Sequence, residues 1–215
     1  MHPKKDLLSI VIIGAWNPSI FSSEWVSKYL CENNECQVSI AFPISDPTAP
    51  RKLSFEDVHL FPGRKQLTIA PESPTLSGME KCATILRAIL DNLPHTPVSS
   101  MGINYVFGES DNTSQLADAL IPSDTSKILQ SRYVRQTTIT RVLARDADNY
   151  LLNLALTNNS DEHILSFNFH YDLNSVEGYK ALLSSETINA HYQDSLDISS
   201  AVYGLTLDGN EDEEE

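Results

Sequence analysis

The chain has 215 residues, 15 Lys and Arg against 29 Asp and Glu, a formal charge of −14, and 41% hydrophobic residues. This composition excludes a mostly disordered chain, a collagen and a low-complexity scaffold, and it allows a real core. No apolar run approaches the roughly 20 residues a membrane span needs, and so acidic a surface is poorly suited to nucleic-acid phosphates or anionic lipid.

Taken in chain order, residues 8–14 form an apolar run suited to a central strand. No small-residue cleavage site follows it, so it reads as a strand rather than a secretory leader. Ser22-Ser23-Glu24 offers a cap for a helix carrying Trp25, Val26, Tyr29 and Leu30 at helical spacing. Strands are expected over 37–42, 52–60 and 65–70, the last two joined through Phe61-Pro62-Gly63. The best-marked helix covers 78–93. Ser77 and Glu80 fit an S-x-x-E capping box, and Met79, Cys82, Leu86, Ile89 and Leu93 step by three and four. Pro94 stops it, and a strand over 98–107 follows, broken at Gly102.

A short helix is expected over 113–120, within a polar connection. Beyond it lie three meander strands, 133–145, 149–157 and 163–172, and a helix opened by Asn174-Ser175-Val176-Glu177. In the last strand Leu165, Phe167, Phe169 and Tyr171 alternate with Ser166, Asn168 and His170, which predicts one buried and one wet sheet face. The expected fold is therefore α+β, an antiparallel sheet with helices packed on one face. Its parts are an N-terminal half (1–108), a connecting segment (109–132), a C-terminal meander plus helix (133–206) and a disordered acidic tail (207–215). Each half reads as three strands and a helix, the order a pseudo-duplicated βββα arrangement would leave.

Three antiparallel strands, a helix ending at Pro94 and then Met101-Gly102-Ile103-Asn104-Tyr105-Val106-Phe107 loosely resemble the bacterial export chaperone SecB, over one half of the chain. That family is also acidic and binds partner polypeptides, so the resemblance implies a protein-binding role.

The residues with chemical potential are few. Cys31, Cys36 and Cys82 read as reduced thiols of a cytoplasmic protein, because no His or Cys pair lies near in sequence to complete a zinc site. No nucleophile elbow, phosphate-binding loop, H-E-x-x-H, EF-hand or paired C-x-x-C occurs, which tilts the reading away from an enzyme and from any cofactor. His170 and Asp172 share strand parity with Asn168 and are the candidates for a metal or acid–base patch. The preferred reading is a solvated strand face. Asp57 and His59 are treated alike, and His95, in a stiff Pro-flanked connection, reads as turn packing before catalytic base. Arg135, Arg141 and Arg145 share parity and are weak candidates for an anion site, with neutralisation by nearby acids as the preferred alternative.

Charge is unevenly placed. Residues 1–108 hold nine basic and ten acidic side chains, a net of −1, whereas residues 109–215 hold six and nineteen, a net of −13. The leading expectation is a non-catalytic acidic cytoplasmic protein-binding module: an adaptor, an inhibitor of antitoxin-like kind or a chaperone-like subunit. Its partner would be another, basic protein, met through Trp16 and Phe21 in the loop after the first strand and through Asp208, Glu211, Asp212, Glu213, Glu214 and Glu215 in the tail. Neither nucleic acid nor membrane is expected as a partner. The alternatives are a metal-dependent hydrolase or nuclease using His170 and Asp172, and a structural subunit of a homo-oligomer.

Overall fold

The computed structural model describes residues 1–5, 7–31, 36–43, 49–110, 116, 119, 136–146, 148–158, 162–172 and 175–208. The described strands are β1 (His2–Pro3), β2 (Ser9–Gly14), β3 (Ser39–Ala41), β4 (Lys52–Phe55), β5 (Val58–Pro62), β6 (Gln66–Pro71), β7 (Val98–Glu109), β8 (Thr137–Leu143), β9 (Leu151–Asn158) and β10 (His163–Tyr171). They form one ten-stranded antiparallel sheet in the order β3-β4-β5-β6-β2-β7-β10-β9-β8, with β1 pairing β7 off that path. Strand β7 is the hinge of the topology. One edge takes β1 and β2 in succession and the other takes β10, so the segments expected as two halves share a single sheet.

Alternation in each strand sends one set of side chains to the core. Ile10, Ile12, Leu67, Ile69, Met101, Ile103, Tyr105, Phe107, Leu165, Phe167 and Phe169 are all buried in one cluster. Helices α1 (Ser23–Leu30), α2 (Leu76–Asn92), α3 (Val176–Leu182) and α4 (Ser185–Tyr203) cover that side. Helix α2 contributes Met79, Cys82, Leu86 and Ile89 of the stripe read from the sequence, with Leu90 buried beside them and Leu93, the C-cap, partly buried against the same core. Of the helix expected over 113–120, Leu116 and Ala119 are described. Both are helical, and Leu116 lies in the core.

Several local expectations change. The strand expected over 52–60 is a hairpin, split at Glu56 and Asp57 with Phe55 paired to Val58. Both turn residues take positive φ, 44° and 63°, as a type I′ turn requires. Asn-Gly normally fills those positions, and a bulkier residue there costs on the order of 1 kcal/mol. Asp57 is a residue that tolerates the left-handed region, but Glu56 is not, so the turn carries no Gly or Asn to mark it strongly.

Helix α2 starts earlier than its capping box implied, because Thr75 accepts the Gly78 amide at 3.1 Å as N-cap. Glu80, freed from the box, accepts from Asn189 Nδ2 at 2.6 Å and ties α2 to α4. The final helix is two, with Ser184 capping the second through the Thr187 amide and Gly204 ending it in the left-handed region. The expected break at Gly102 is no break, since β7 runs unbroken from Val98 to Glu109. At the expected start of the tail, Leu207 packs against the core. Asp208 Oδ1 accepts from the Met1 amino group at 2.9 Å. Residues 209–215 lie outside the described residues.

Candidate interaction surface

The sheet has a second face, and register defines it. Val142, Asn153, Asn168, Asn104 and Ser9 form one row across β8, β9, β10, β7 and β2. Leu151, His170, Gly102, Val11, Thr68 and Phe61 form the next. None of the buried residues in the main core cluster belongs to either row, and among the described residues the helices lie on the opposite side. This face is uncovered by any described helix.

Its centre is a chain of amides. Asn153 Nδ2 donates to Asn168 Oδ1 at 2.8 Å, Asn168 Nδ2 donates to Asn104 Oδ1 at 2.7 Å, and Asn104 Nδ2 donates to Ser9 Oγ at 3.2 Å. Gly102 makes room for it: a Cβ there would stand 2.5 Å from Asn168 Nδ2. Around the amides lie small or weakly polar residues such as Ser166, Ala155, Thr140 and Val11. Although the chain has 29 Asp and Glu, the described strands contain one, Glu109. Glu109 opposes His163, on the core-side parity. The described strands thus place no carboxylate on the open face, where a solvated antiparallel face has polar residues alternating outward; Glu162 beside Gly108 and Asp172 beside His170 bring carboxylates to its rim from just beyond the strand ends.

The residues picked from the sequence are dispersed. His170 Nε2 stands 3.3 Å from Asp172 Oδ1, both accessible, while their neighbour Asn168 is committed to the amide chain. No third ligand joins that pair among the described residues. His95 is exposed on a turn. Asp57 and His59 part company: Asp57 faces Lys81 at 3.5 Å, and His59 Nδ1 is 3.0 Å from Ser54 Oγ. Arg141 Nη1 reaches Tyr203 Oη at 3.3 Å. Arg145 meets Asp148 at 2.9 Å and Asp194 at 3.2 Å, and these two carboxylates, Asp194 foremost, raise its pKa. Arg135, Glu211, Asp212, Glu213, Glu214 and Glu215 lie outside the described residues.

Trp16 and Phe21 fold inward, 6% and 0% exposed, and Trp16 Nε1 donates to the Ile12 carbonyl at 3.3 Å. The aromatic loop is a core lid, so it presents no exposed ring as a surface anchor. The expectation for the cysteines also changes: Cys31 and Cys36 are joined as a disulfide, with Cα atoms 5.8 Å apart, and Cys82 is a buried free thiol whose pKa burial pushes up.

Two features escaped the sequence reading. A cleft of about 640 Å³ is lined by Arg51, Arg64 and Lys65 together with Pro18, Phe42 and Pro62, a local excess of cations among the described residues of an acidic chain. Arg51 is also structural, since Nη2 donates to the carbonyls of Pro18 and Phe21 at 2.6 and 2.9 Å. The second feature is a buried pair, Tyr171 Oη and His191 Nε2, with the imidazole stacked on Phe169 at 4.0 Å. Burial lowers the His191 pKa to about 4 and raises that of Tyr171. His191 is 5% exposed, which suits packing rather than proton transfer to a ligand.

Comparison with protein-family models and with curated proteins finds no match for this chain.

Proposed function

We propose that this chain is a non-catalytic protein-binding module and that it docks its partner on the open face of the sheet. The supporting observation is the missing charge: a protein of net −14 keeps its described strands free of carboxylates on that face. The centre of a protein interface is depleted of charged residues while its rim stays polar. Small residues and the Asn153–Asn168–Asn104 amide chain offer a flat contact that needs no large rearrangement of side chains. The partner of matching chemistry has an uncharged patch ringed by Lys and Arg, drawn in by the acidity of the rest of the chain.

The reading is tested by capturing partners from the native host, purifying the one recovered, and titrating it against wild type and Ser166→Glu at two salt concentrations. A carboxylate placed at the centre of the face is expected to weaken binding at least tenfold. Rising salt is expected to slow association more than it speeds dissociation. Binding indifferent to Ser166→Glu would sink the reading.

A second reading, a homo-oligomer, draws on β8. Among the described strands it ends the sheet path, and it exposes Thr138, Thr140, Val142 and Leu143. Open strand edges pair readily with further strands. Light scattering of the purified chain separates the two readings, since a stable oligomer formed without any partner favours this one.

A further inference from the structure

Cys31 closes α1, Cys36 lies ahead of β3, and Glu56 opens the β4–β5 turn. One ligand atom from each lies within 4.8 Å of the others, the only such group of His, Cys, Asp or Glu among the described residues. Cys31 is buried, and Cys36 and Glu56 are half-buried. Three separate pieces of backbone thus bring two sulfurs and a carboxylate to one point.

The geometry points to a zinc site, formed in the reduced chain by Cys31 Sγ, Cys36 Sγ and a Glu56 carboxylate oxygen, with the disulfide as its metal-free oxidised state. Zinc holds thiolate sulfur at about 2.3 Å and carboxylate oxygen at about 2.0–2.2 Å in a tetrahedron, so its ligand atoms stand roughly 3.4–3.8 Å apart. In the oxidised chain the two sulfurs are bonded and the Glu56 oxygen lies within 4.8 Å of both; reduction frees the sulfurs to move apart to the edge lengths of such a tetrahedron. A Cα separation of 5.8 Å suits a disulfide and is short enough for both sulfurs to reach one ion. Two thiolates select a borderline-soft ion over magnesium or calcium. Glu56 is the first central residue of the β4–β5 turn, with φ 44°. In that conformation its carboxylate stands within 4.8 Å of the sulfurs. Three protein ligands leave the fourth position to water.

The interconversion balances. A dithiol reductant supplies two electrons and two protons, the S–S bond breaks to give two thiols, and the reductant closes its own disulfide. Zinc binding then releases both thiol protons to solvent as two Zn–S bonds form. The site is independent of the protein-binding reading and lies among residues that reading does not use.

The test uses the full chain, reduced with a phosphine, freed of reductant without air, and titrated with zinc against a chromophoric chelator. One zinc per chain is expected, with uptake abolished in the oxidised chain and in Cys31→Ser and Cys36→Ser. Glu56→Gln is expected to weaken uptake at least tenfold, while Asp57→Asn leaves it within about twofold. Cobalt in place of zinc should give sulfur-to-metal charge-transfer absorption that Cys36→Ser removes. Should either serine variant misfold by circular dichroism, the turn variants still decide the matter, since Glu56 opens a surface turn. No uptake by the reduced chain overturns the site, and so does a loss no larger for Glu56→Gln than for Asp57→Asn.

Discussion

Gly102 of β7 and Asn168 of β10 are complementary: the missing side chain of one is the space in which the amide of the other crosses to Asn104. Gly102→Ala would place a Cβ 2.5 Å from Asn168 Nδ2, and Asn168 is held at both ends by hydrogen bonds. The substitution is expected to destabilise by about 1–3 kcal/mol in urea unfolding. Adding Asn168→Ala removes the clash, so the pair should lose less than the sum of the single changes. Strict additivity would mean the glycine serves some other purpose.

Helix α2 distinguishes two caps. Thr75→Ala removes the side chain that accepts the Gly78 amide and should cost about 1 kcal/mol. Ser77→Ala, inside the first turn, should cost less than about 0.5 kcal/mol. Chemical denaturation of both variants checks the order, and a larger loss at Ser77 would restore the capping box read from the sequence.

His191 makes stability depend on pH. Its folded pKa is lowered from 6.5 to about 4 by burial, so the unfolded chain binds more protons between those values. The contribution is present in full above pH 6.5 and is lost as pH falls toward about 4, below which this group adds no further loss. The slope reaches about 1.4 kcal/mol per pH unit within the window, or about 3 kcal/mol over its whole width. His191→Phe keeps the stacking on Phe169 while removing the titration, and should flatten the profile from pH 6.5 to 4 even though Tyr171 loses its partner. An unchanged slope would place the pH dependence elsewhere.

His170 and Asp172 form an accessible pair with no third ligand among the described residues. His170→Ala should leave metal uptake unchanged in a calorimetric titration, because a two-ligand surface pair lacks the convergence a metal centre needs. Tight binding abolished by His170→Ala would revive the metal-dependent enzyme.

Much of the architecture could be read from local pattern. Alternation over Leu165, Phe167, Phe169 and Tyr171 placed β10 with one buried face, and the stripe from Met79 to Ile89 placed α2. Both follow from the fixed periods of strand and helix, which tie neighbours in sequence to one side of an element. The α+β class and the antiparallel sheet with helices on one side follow from such signals alone. Where the local signal was weak or misleading, the reading failed: Glu56-Asp57 turns with neither Gly nor Asn, and Gly102 sits inside an unbroken strand where it leaves room for Asn168.

What tertiary structure alone decided is which distant residues meet. The sequence shows 29 acidic residues, but only register across β2, β7, β10 and β9 shows that one face of the sheet avoids them. Trp16 and Phe21 could have pointed either way from their loop; both fold into the core, where their rings neighbour each other and Trp16 donates to the Ile12 carbonyl. Glu56 lies twenty residues beyond Cys36, with nothing in the intervening chain to mark it as a neighbour of the two sulfurs. Periodicity records which side of an element is buried, whereas proximity between elements is set by sheet register and helix docking, which depend on the whole packed core.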